Sequence, residues 1–314
     1  MTKYINLKRL EFAVTYRCSS KCDHCSVDEN RKKKYPGIIK MDVAESIVKK
    51  VASYYDIESI MTFGGEPLLY PELIYIIHKT AKETGIKTRQ IITNGYWSKD
   101  DLIIGEIARN LVNSGVNNVL ISVDVFHQKY VSLNIIKKST EALINNGIDM
   151  IKWNPCWIIS KDNDNKYNLK TKEILKELNY LGIPTASGNI VSPDGMALRN
   201  LRNYMPQKIK YPEGKCSDQP YTSNLDNIES ICIEPNGDIT ICKNFKMGNV
   251  FEVDILEALK NYNPYEIEEM RCILKKGING LMKYAEKMDI PIEPSGYYSI
   301  CDMCKDIIIG SKER

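Results

Sequence analysis

Between residues 10 and 190, short apolar runs alternate with longer amphipathic stretches. Residues 10–14, 59–63, 88–93, 118–123, 150–159 and 184–190 predict strands. Between them, 42–55, 71–84, 100–114, 133–146 and 171–181 repeat apolar positions at helical spacing. In the first of these, Val43, Ile47, Val48, Val51 and Tyr55 share one face. Asp42 and Ser98 suit helix N-caps, and Gly85, Gly115, Gly147 and Gly182 stand where helices should stop. Six strand–helix units in series predict an α/β fold whose parallel sheet curls into a barrel or partial barrel.

The alternation breaks near residues 205–214, where Pro206, Pro212 and Gly214 interrupt it. Beyond Cys216 the character changes. Residues 231–234 and 239–242 flank Pro235-Asn236-Gly237-Asp238, a hairpin signal, and helical stretches follow at 252–261 and 265–288. A main domain over residues 1–204 and a smaller one over 205–314 are expected. No repeat beyond the alternation itself and no low-complexity segment stands out.

Composition narrows the function classes. A net charge of +3 over 314 residues is too mild to argue for nucleic acid as a partner. The densest basic run, Arg31-Lys32-Lys33-Lys34, reads as a solvated loop, with attraction of an acidic substrate as the alternative. Residues 1–12 have no apolar core of a secretory signal, and no apolar stretch approaches the roughly 18 residues of a membrane span. A cytoplasmic protein without membrane partners is expected. In that reducing compartment the ten cysteines read as metal ligands plus a few buried thiols, not as a disulfide framework.

Chemistry concentrates where strands should end. Cys18, Cys22 and Cys25 follow the first strand, Gly64-Gly65-Glu66-Pro67 the second, and Thr93-Asn94-Gly95 the third. Parallel α/β folds gather their active sites on that edge. Three thiolates at this spacing can hold three irons of a cubane and leave the fourth iron open. A zinc site is the alternative, and it would need a fourth close Cys or His. Glycines at 64 and 65 would let the main chain approach a small charged ligand, Glu66 would offer opposite charge to an ammonium, and Pro67 would lead into the next helix. Ser122-Val123-Asp124 ends the fourth strand, although Asp124 also suits an N-cap. His127 reads as a local hydrogen-bonding residue or a rim residue, and His78 as structural.

On Cys18, Cys22, Cys25 and Gly64-Gly65-Glu66-Pro67 the chain resembles the radical S-adenosylmethionine (radical SAM) enzymes. The resemblance implies a partial (β/α)6 TIM-like barrel carrying a SAM-binding [4Fe–4S] cluster on the three cysteines. It implies SAM contacts from Gly64, Gly65, Glu66 and Pro67, with Asn94, Ser122 and Asp124 near the ribose and carboxylate. His24 would lie near adenine, or else be a solvated or core histidine. A 5′-deoxyadenosyl radical would then abstract a substrate hydrogen, with an external flavodoxin or ferredoxin as electron donor.

Cys216, Cys242, Cys301 and Cys304 resemble the twitch or SPASM extensions of peptide-modifying members, which implies one auxiliary [4Fe–4S] cluster in a small C-terminal iron–sulfur domain; a zinc ribbon is the alternative. Cys232 and Cys272 are expected to be buried thiols. Thr93-Asn94-Gly95-Tyr96-Trp97, the Asp124-x-Phe126-His127 segment and the final Cys-xx-Cys are similar to epimerases that act on ribosomally made peptides. Such epimerases carry a hydrogen-donating cysteine where this chain has Lys243. An oxidative outcome on a peptide substrate is therefore expected: a crosslink, thioether or desaturation. Cys156 is a second candidate hydrogen donor or a buried core thiol, and Trp153 and Trp157 line a substrate pocket or simply pack. The rival readings are a radical SAM dehydrogenase of a small molecule, a glycyl-radical activase and a non-enzymatic metal scaffold.

Overall fold

The computed structural model describes residues 3–218 and 222–312. Two compact units divide the chain. One comprises Arg9–Met205 with Glu234–Asn236, and the other takes in the remaining described residues.

The larger unit is built on parallel strands laid down in chain order. β1 (Ile5–Thr15) leads to α1 (Glu29–Lys34), α2 (Met41–Tyr54), β2 (Ser59–Gly64), α3 (Pro71–Glu83) and β3 (Thr88–Thr93). α4 (Asp101–Asn113), β4 (Asn118–Ile121), α5 (Leu133–Asn145) and β5 (Met150–Trp153) continue the series. Each strand pairs with the next in parallel, as in Leu10↔Ile60, Met61↔Gln90, Ile91↔Val119 and Val119↔Ile151. A helix between successive strands returns the chain to the same edge, so every strand ends on one rim.

Leu10, Phe12, Ile60, Ile91 and Val119 from the sheet are fully buried, as are Ile74 and Ile77 from α3. Each such side chain contributes about 1.5–3 kcal/mol by leaving water. On α2 the buried stripe is Ala44, Ile47, Val48 and Val51, while Val43 and Tyr55 are half-buried. The caps differ from the expected ones. Lys40 is the N-cap of α2, and Asp42 sits in its first turn, where a carboxylate suits the helix dipole. Asp100 caps α4 by accepting from the Leu102 N–H, and the Ser98 hydroxyl accepts from the Asp100 N–H just upstream.

The fifth and sixth expected strands break up. Pro155 has no N–H to give a ladder, so pairing along 150–159 stops after Trp153. The chain resumes as β6 (Cys156–Trp157), passes through α6 (Lys166–Glu177), and pairs β6 with β7 (Asn189–Ile190) in a separate two-stranded parallel sheet. Thr185 makes an isolated bridge to Trp153. α6 starts at residue 166, ahead of the expected 171, because the Asn165 side chain accepts from the N–H groups of Tyr167 and Asn168. α7 (Gly195–Asn200) is the last helix of this unit.

In the smaller unit, β8 (Ile228–Ile233), β9 (Asp238–Thr240) and β10 (Lys246–Asn249) are antiparallel, and the turn between β8 and β9 is the expected hairpin. α8 (Ile255–Asn261), α9 (Glu268–Lys287) and α10 (Ile300–Lys312) follow, with α9 kinked at Gly277. Among the described residues no helix is long and apolar enough to cross a membrane.

Candidate cluster and cofactor site

After β1 the chain runs as a loop through Cys18, Cys22 and Cys25 into α1. The Cys25 N–H donates to the Cys22 carbonyl at 3.2 Å, and the Ala197 N–H of α7 donates to the Cys25 carbonyl at 3.1 Å. α7 can come this close because position 195 has no side chain: a Cβ on Gly195 would meet the Ser26 carbonyl at 2.4 Å. The N–H groups of Ser20 and Val27 point at the sulfurs of Cys18 and Cys25, each at 3.4 Å, and Asn94 Nδ2 lies 3.7 Å from Cys18 Sγ. Such donors stabilise negative charge on sulfur.

Burial pushes all three thiols above their ordinary pKa, and neighbouring thiols push Cys18 and Cys22 further. Thiols that resist ionising on their own give up their protons to bound cations. Three free cysteines with N–H donors aimed at two of the sulfurs are therefore a donor set that suits an iron–sulfur cluster. The basic run beside them is solvated at Lys33 and Lys34, as expected, but it is a helix and not a loop: it forms α1, capped by Asp28, with the Arg31 side chain half-buried.

The Gly64-Gly65-Glu66 segment packs against the end of β1. The Gly65 N–H donates to the Thr15 carbonyl at 2.6 Å and the Glu66 N–H to the Arg17 carbonyl at 2.9 Å. A Cβ would lie 2.3 Å from the Thr15 oxygen at position 64 and 2.1 Å from the Arg17 oxygen at position 65. Both glycines are thus required by the approach of two main chains, a reason not read from the sequence.

Glu66 is fully buried. Its Oε1 accepts from the Leu68 N–H at 3.1 Å and the Thr93 hydroxyl at 2.8 Å, and Oε2 accepts from the Asn94 N–H at 2.7 Å. The carboxylate expected beside a ligand ammonium is occupied by donors of the chain itself. Burial, partly offset by these bonds, lifts its pKa to about 7. Pro67 opens a single 3-10 turn, and α3 begins only at Pro71.

Asn94 is buried beside the cysteine loop, its Nδ2 donating to the Ser19 hydroxyl at 3.1 Å. Ser122 is buried, with its N–H donating to the Thr93 carbonyl at 2.8 Å. Asp124 is fully buried and accepts at Oδ1 from the N–H groups of Phe126 and His127, both at 2.9 Å. Its Oδ2 accepts from the Cys156 N–H at 3.0 Å, and His127 Nδ1 lies 2.9 Å from each oxygen.

Burial would raise the Asp124 pKa, yet His127 and these donors hold it down at about 2. The His24 ring packs at 4.7 Å from both Phe126 and His127. Burial lowers its pKa to about 4, so it is neutral, and its Nδ1 is buried with no hydrogen-bond partner among the described residues. Ligand atoms of His24, Asp124 and His127 converge within 4.8 Å. With four donors already on its two oxygens, Asp124 has its lone pairs filled, which makes this a positioning triad and not an ion site.

Cys156 is buried against Cys22, Phe126 and Ile158, and burial first, then Asp124, pushes its thiol up. Trp153 and Trp157 are buried, Trp157 donating to the Ser187 carbonyl at 3.0 Å. His78 is fully buried in α3 with Nε2 2.9 Å from the Thr62 hydroxyl.

In the smaller unit, Cys216, Cys242, Cys301 and Cys304 line one small cavity together with Asn244 and Phe245. Cys301 and Cys304 share a face of α10 one turn apart, and Asn244 Nδ2 donates to the Cys301 carbonyl at 2.9 Å. Burial pushes all four thiols up, Cys216 to about 12 with Cys242 and Cys301 adding to it. Cys232 on β8 and Cys272 on α9 lie outside this lining and are half-buried, not buried as expected; Cys232 alternates with the buried Ile231 and Ile233 and so falls on the other face of the strand.

Sequence reading passed over Tyr16 and Glu234 and took Arg31 only as part of the basic run; the three meet in one cluster, with the Glu234 side chain 4% and the Arg31 side chain 29% exposed. Nothing local could have joined them, because Glu234 lies 218 residues from Tyr16.

The family model of the Radical SAM superfamily matches residues 12–191. GTP 3′,8-cyclase of Clostridium botulinum is 26% identical over 197 residues, 59% of this chain and 60% of that protein. GTP 3′,8-cyclase of Clostridium acetobutylicum is 30% identical over 125 residues, 38% of this chain and 35% of the relative. The chain therefore spans about 60% or less of the length of these curated relatives. Among solved structures, native anSMEcpe with bound AdoMet aligns with a TM-score of 0.54 at 17% identity, covering 98% of each chain. The histidine-tagged form of that protein gives 0.56 at 17%, covering 98% of this chain and 93% of the other. At such identity the likeness speaks to fold.

Proposed function

The chain belongs to the radical SAM superfamily of enzymes, and from that premise we propose that it modifies a ribosomally made peptide oxidatively, using two iron–sulfur clusters. The observation that carries the two-cluster reading is the common cavity lined by Cys216, Cys242, Cys301 and Cys304, distinct from the three-cysteine loop after β1. When bound, the first cluster and SAM supply a 5′-deoxyadenosyl radical able to take hydrogen from an unactivated carbon.

The residues present fit that cofactor in stated roles. Cys18, Cys22 and Cys25 hold the cluster, with Ser20, Val27 and Asn94 donating toward two of the sulfurs. Gly64 and Gly65 offer main chain to the cofactor, and Glu66 holds the β3 end, with Asn94, in register beside the cysteines. Neutral His24, braced by Phe126 and the Asp124–His127 pair, presents a flat uncharged ring with an unpartnered Nδ1 to an adenine. Cys216, Cys242, Cys301 and Cys304 hold the second cluster as its four ligands. An external flavodoxin or ferredoxin delivers the electron.

A second reading, radical chemistry on a small molecule, is favoured by the curated relatives, which are named for a reaction on GTP. Lys243, standing next to Cys242 where a hydrogen-donating thiol would be needed for epimerisation, supports an oxidative outcome in either case.

The test is anaerobic reconstitution with SAM, a reductant and either a ribosomal precursor peptide or GTP. The proposal expects 5′-deoxyadenosine together with a peptide lighter by hydrogen. A peptide of unchanged mass containing a D-residue would overturn the oxidative version, and turnover of GTP alone would install the second reading. Changing Cys242 to Ala should leave SAM cleavage while abolishing the oxidised product.

A further inference from the structure

Positive charge is gathered around the cysteine loop. Residues 17–40 hold seven basic and three acidic side chains, a net +4 in a chain whose total is +3, so the rest of the chain carries a net −1. The three acids are all engaged. Asp23 pairs with Lys129 at 3.1 Å, Glu29 pairs with Lys32 at 2.8 Å, and Asp28 accepts from the Arg31 N–H at 2.8 Å as the cap of α1. Arg31 Nη2 stands 3.6 Å from Glu234 Oε1. Arg17, Lys21, Lys33, Lys34 and Lys40 are exposed, and none of them makes an ion pair among the described residues.

These five cations follow the loop. Arg17 precedes Cys18, and Lys21 precedes Cys22. α1 begins four residues after Cys25, so the Lys33 backbone lies within about 20 Å of Cys25 even along a fully extended path into the helix. α1 also folds back on the root of the loop. The Arg31 guanidinium stands 4.8 Å from the Tyr16 ring centroid, and Arg31 Nη2 donates to the Tyr16 oxygen at 2.8 Å. The entry of the loop at Tyr16 and its exit at α1 are thus pinned together, and the cations on both share one surface. A cation in the last turn of α1 suits the helix dipole, which accounts for Lys33 or Lys34. It does not account for Arg17, Lys21 or Lys40, which lie outside that helix. Like charges gathered without counter-charges repel one another, and an acidic partner relieves that repulsion.

Resting on the reading that Cys18, Cys22 and Cys25 hold a cluster reduced from outside, we propose that this patch is the docking surface for the electron donor, an acidic one-electron carrier protein of the flavodoxin or ferredoxin kind. Electron transfer falls off steeply with distance, so the carrier must seat beside the loop, and that is where the unpaired charge lies. The carrier loses one electron and the three-cysteine site gains it; no bond forms or breaks in this step. Complementary charge chiefly speeds the encounter and orients the carrier.

The test compares two reductants on the reconstituted full chain with SAM, reading 5′-deoxyadenosine. With dithionite, which needs no docking, the double variant Lys33→Glu/Lys34→Glu should match the wild type. With whichever of reduced flavodoxin or ferredoxin sustains the wild type, the same variant should lose about tenfold or more in second-order rate at low salt, and the loss should shrink as salt rises toward about 1 M. Lys33→Gln/Lys34→Gln should fall between. The charge-matched control Lys49→Glu/Lys170→Glu, at exposed positions of α2 and α6, should stay near the wild type. No loss with the carrier, or an equal loss in patch and control variants, overturns the proposal. So does a loss of the same size with dithionite in a patch variant that keeps its iron, which would assign these lysines to the site itself or to an acidic substrate. Carbodiimide cross-linking of the wild-type chain to the carrier does not depend on any variant folding. Its amide links should map to Lys21, Lys33, Lys34 or Lys40, and links confined to other lysines refute the surface. Absence of 5′-deoxyadenosine from the wild type with dithionite would instead refute the underlying cluster reading.

Discussion

The Asn94 main-chain N–H donates to Glu66 Oε2 at 2.7 Å, tying the end of β3 to the segment that follows β2. Through that one bond the amide that reaches Cys18 is fixed by a carboxylate that has no exposure to solvent. Glu66→Ala would leave the N–H groups of Leu68 and Asn94 and the Thr93 hydroxyl without their acceptor. Each orphaned buried donor costs about 1–3 kcal/mol, so the variant should lose at least ~2 kcal/mol of stability and retain less iron after reconstitution. Urea unfolding of the apo chain and an iron count check both. A variant of unchanged stability would mean that these donors find water instead.

Gly65→Ala places its new Cβ 2.1 Å from the Arg17 carbonyl, which is main chain and has no rotamer to move. The strand end or the cysteine loop must give way, at about 2–3 kcal/mol by analogy with overpacked cores. Gly37→Ala is the control. Its φ is +75° but its Cβ would meet nothing within 4 Å, so only the backbone penalty of about 1 kcal/mol applies. Iron content should fall for position 65 and hold for position 37.

The periodic part of the molecule was legible in its sequence. Apolar runs and helical stripes located β1 to β5 and the helices α2 to α5, because each of these elements buries one face and must repeat with its own period; α1, with no buried residue, carried no such signal. The motifs at the three strand ends landed on one rim for the same reason. What escaped was set by single residues acting over distance. Pro155 split one strand into two, and Asn165 moved the start of α6 upstream. The glycines at 64 and 65 and the carboxylates of Glu66 and Asp124 looked like ligand-facing groups. Which groups they meet depends on the packing of β1 against β2 and of β4 against β6, and no local pattern encodes that.

His78 gives a prediction about acid. Burial lowers its pKa from 6.5 to about 3, so the folded chain holds it neutral beside Thr62. A group depressed in the folded state contributes stability that is present above the unfolded pKa and lost as pH falls through the folded one. The loss therefore begins near pH 6.5 and runs toward pH 3, with a ceiling of roughly 4–5 kcal/mol at 1.36 kcal/mol per pH unit. His78→Gln should flatten this part of the stability–pH curve while costing stability at neutral pH. Equilibrium unfolding at several pH values tests it, and an equally steep acid limb in the variant would assign the slope to other groups.

Asp124 and His127 should behave as one unit. His127 Nδ1 is 2.9 Å from both Asp124 oxygens, and the same carboxylate accepts from three main-chain N–H groups, including that of Cys156 in β6. Asp124→Asn keeps the shape but turns one oxygen into an NH2, which must then face a donor at the turn or at Cys156. A cost of about 2–4 kcal/mol follows, since a buried charged network loses its acceptor while its donors stay in place. His127→Gln removes one charge-assisted bond and should cost less, about 1–2 kcal/mol. In the double variant the two costs should fail to add by about 1–3 kcal/mol, as expected for groups in direct contact. SAM affinity, read from the perturbation of the cluster signal, should fall in Asp124→Asn as the His24 ring loses its brace. Strict additivity would show the pair to be two independent residues, and an unchanged SAM response would detach the triad from the cofactor.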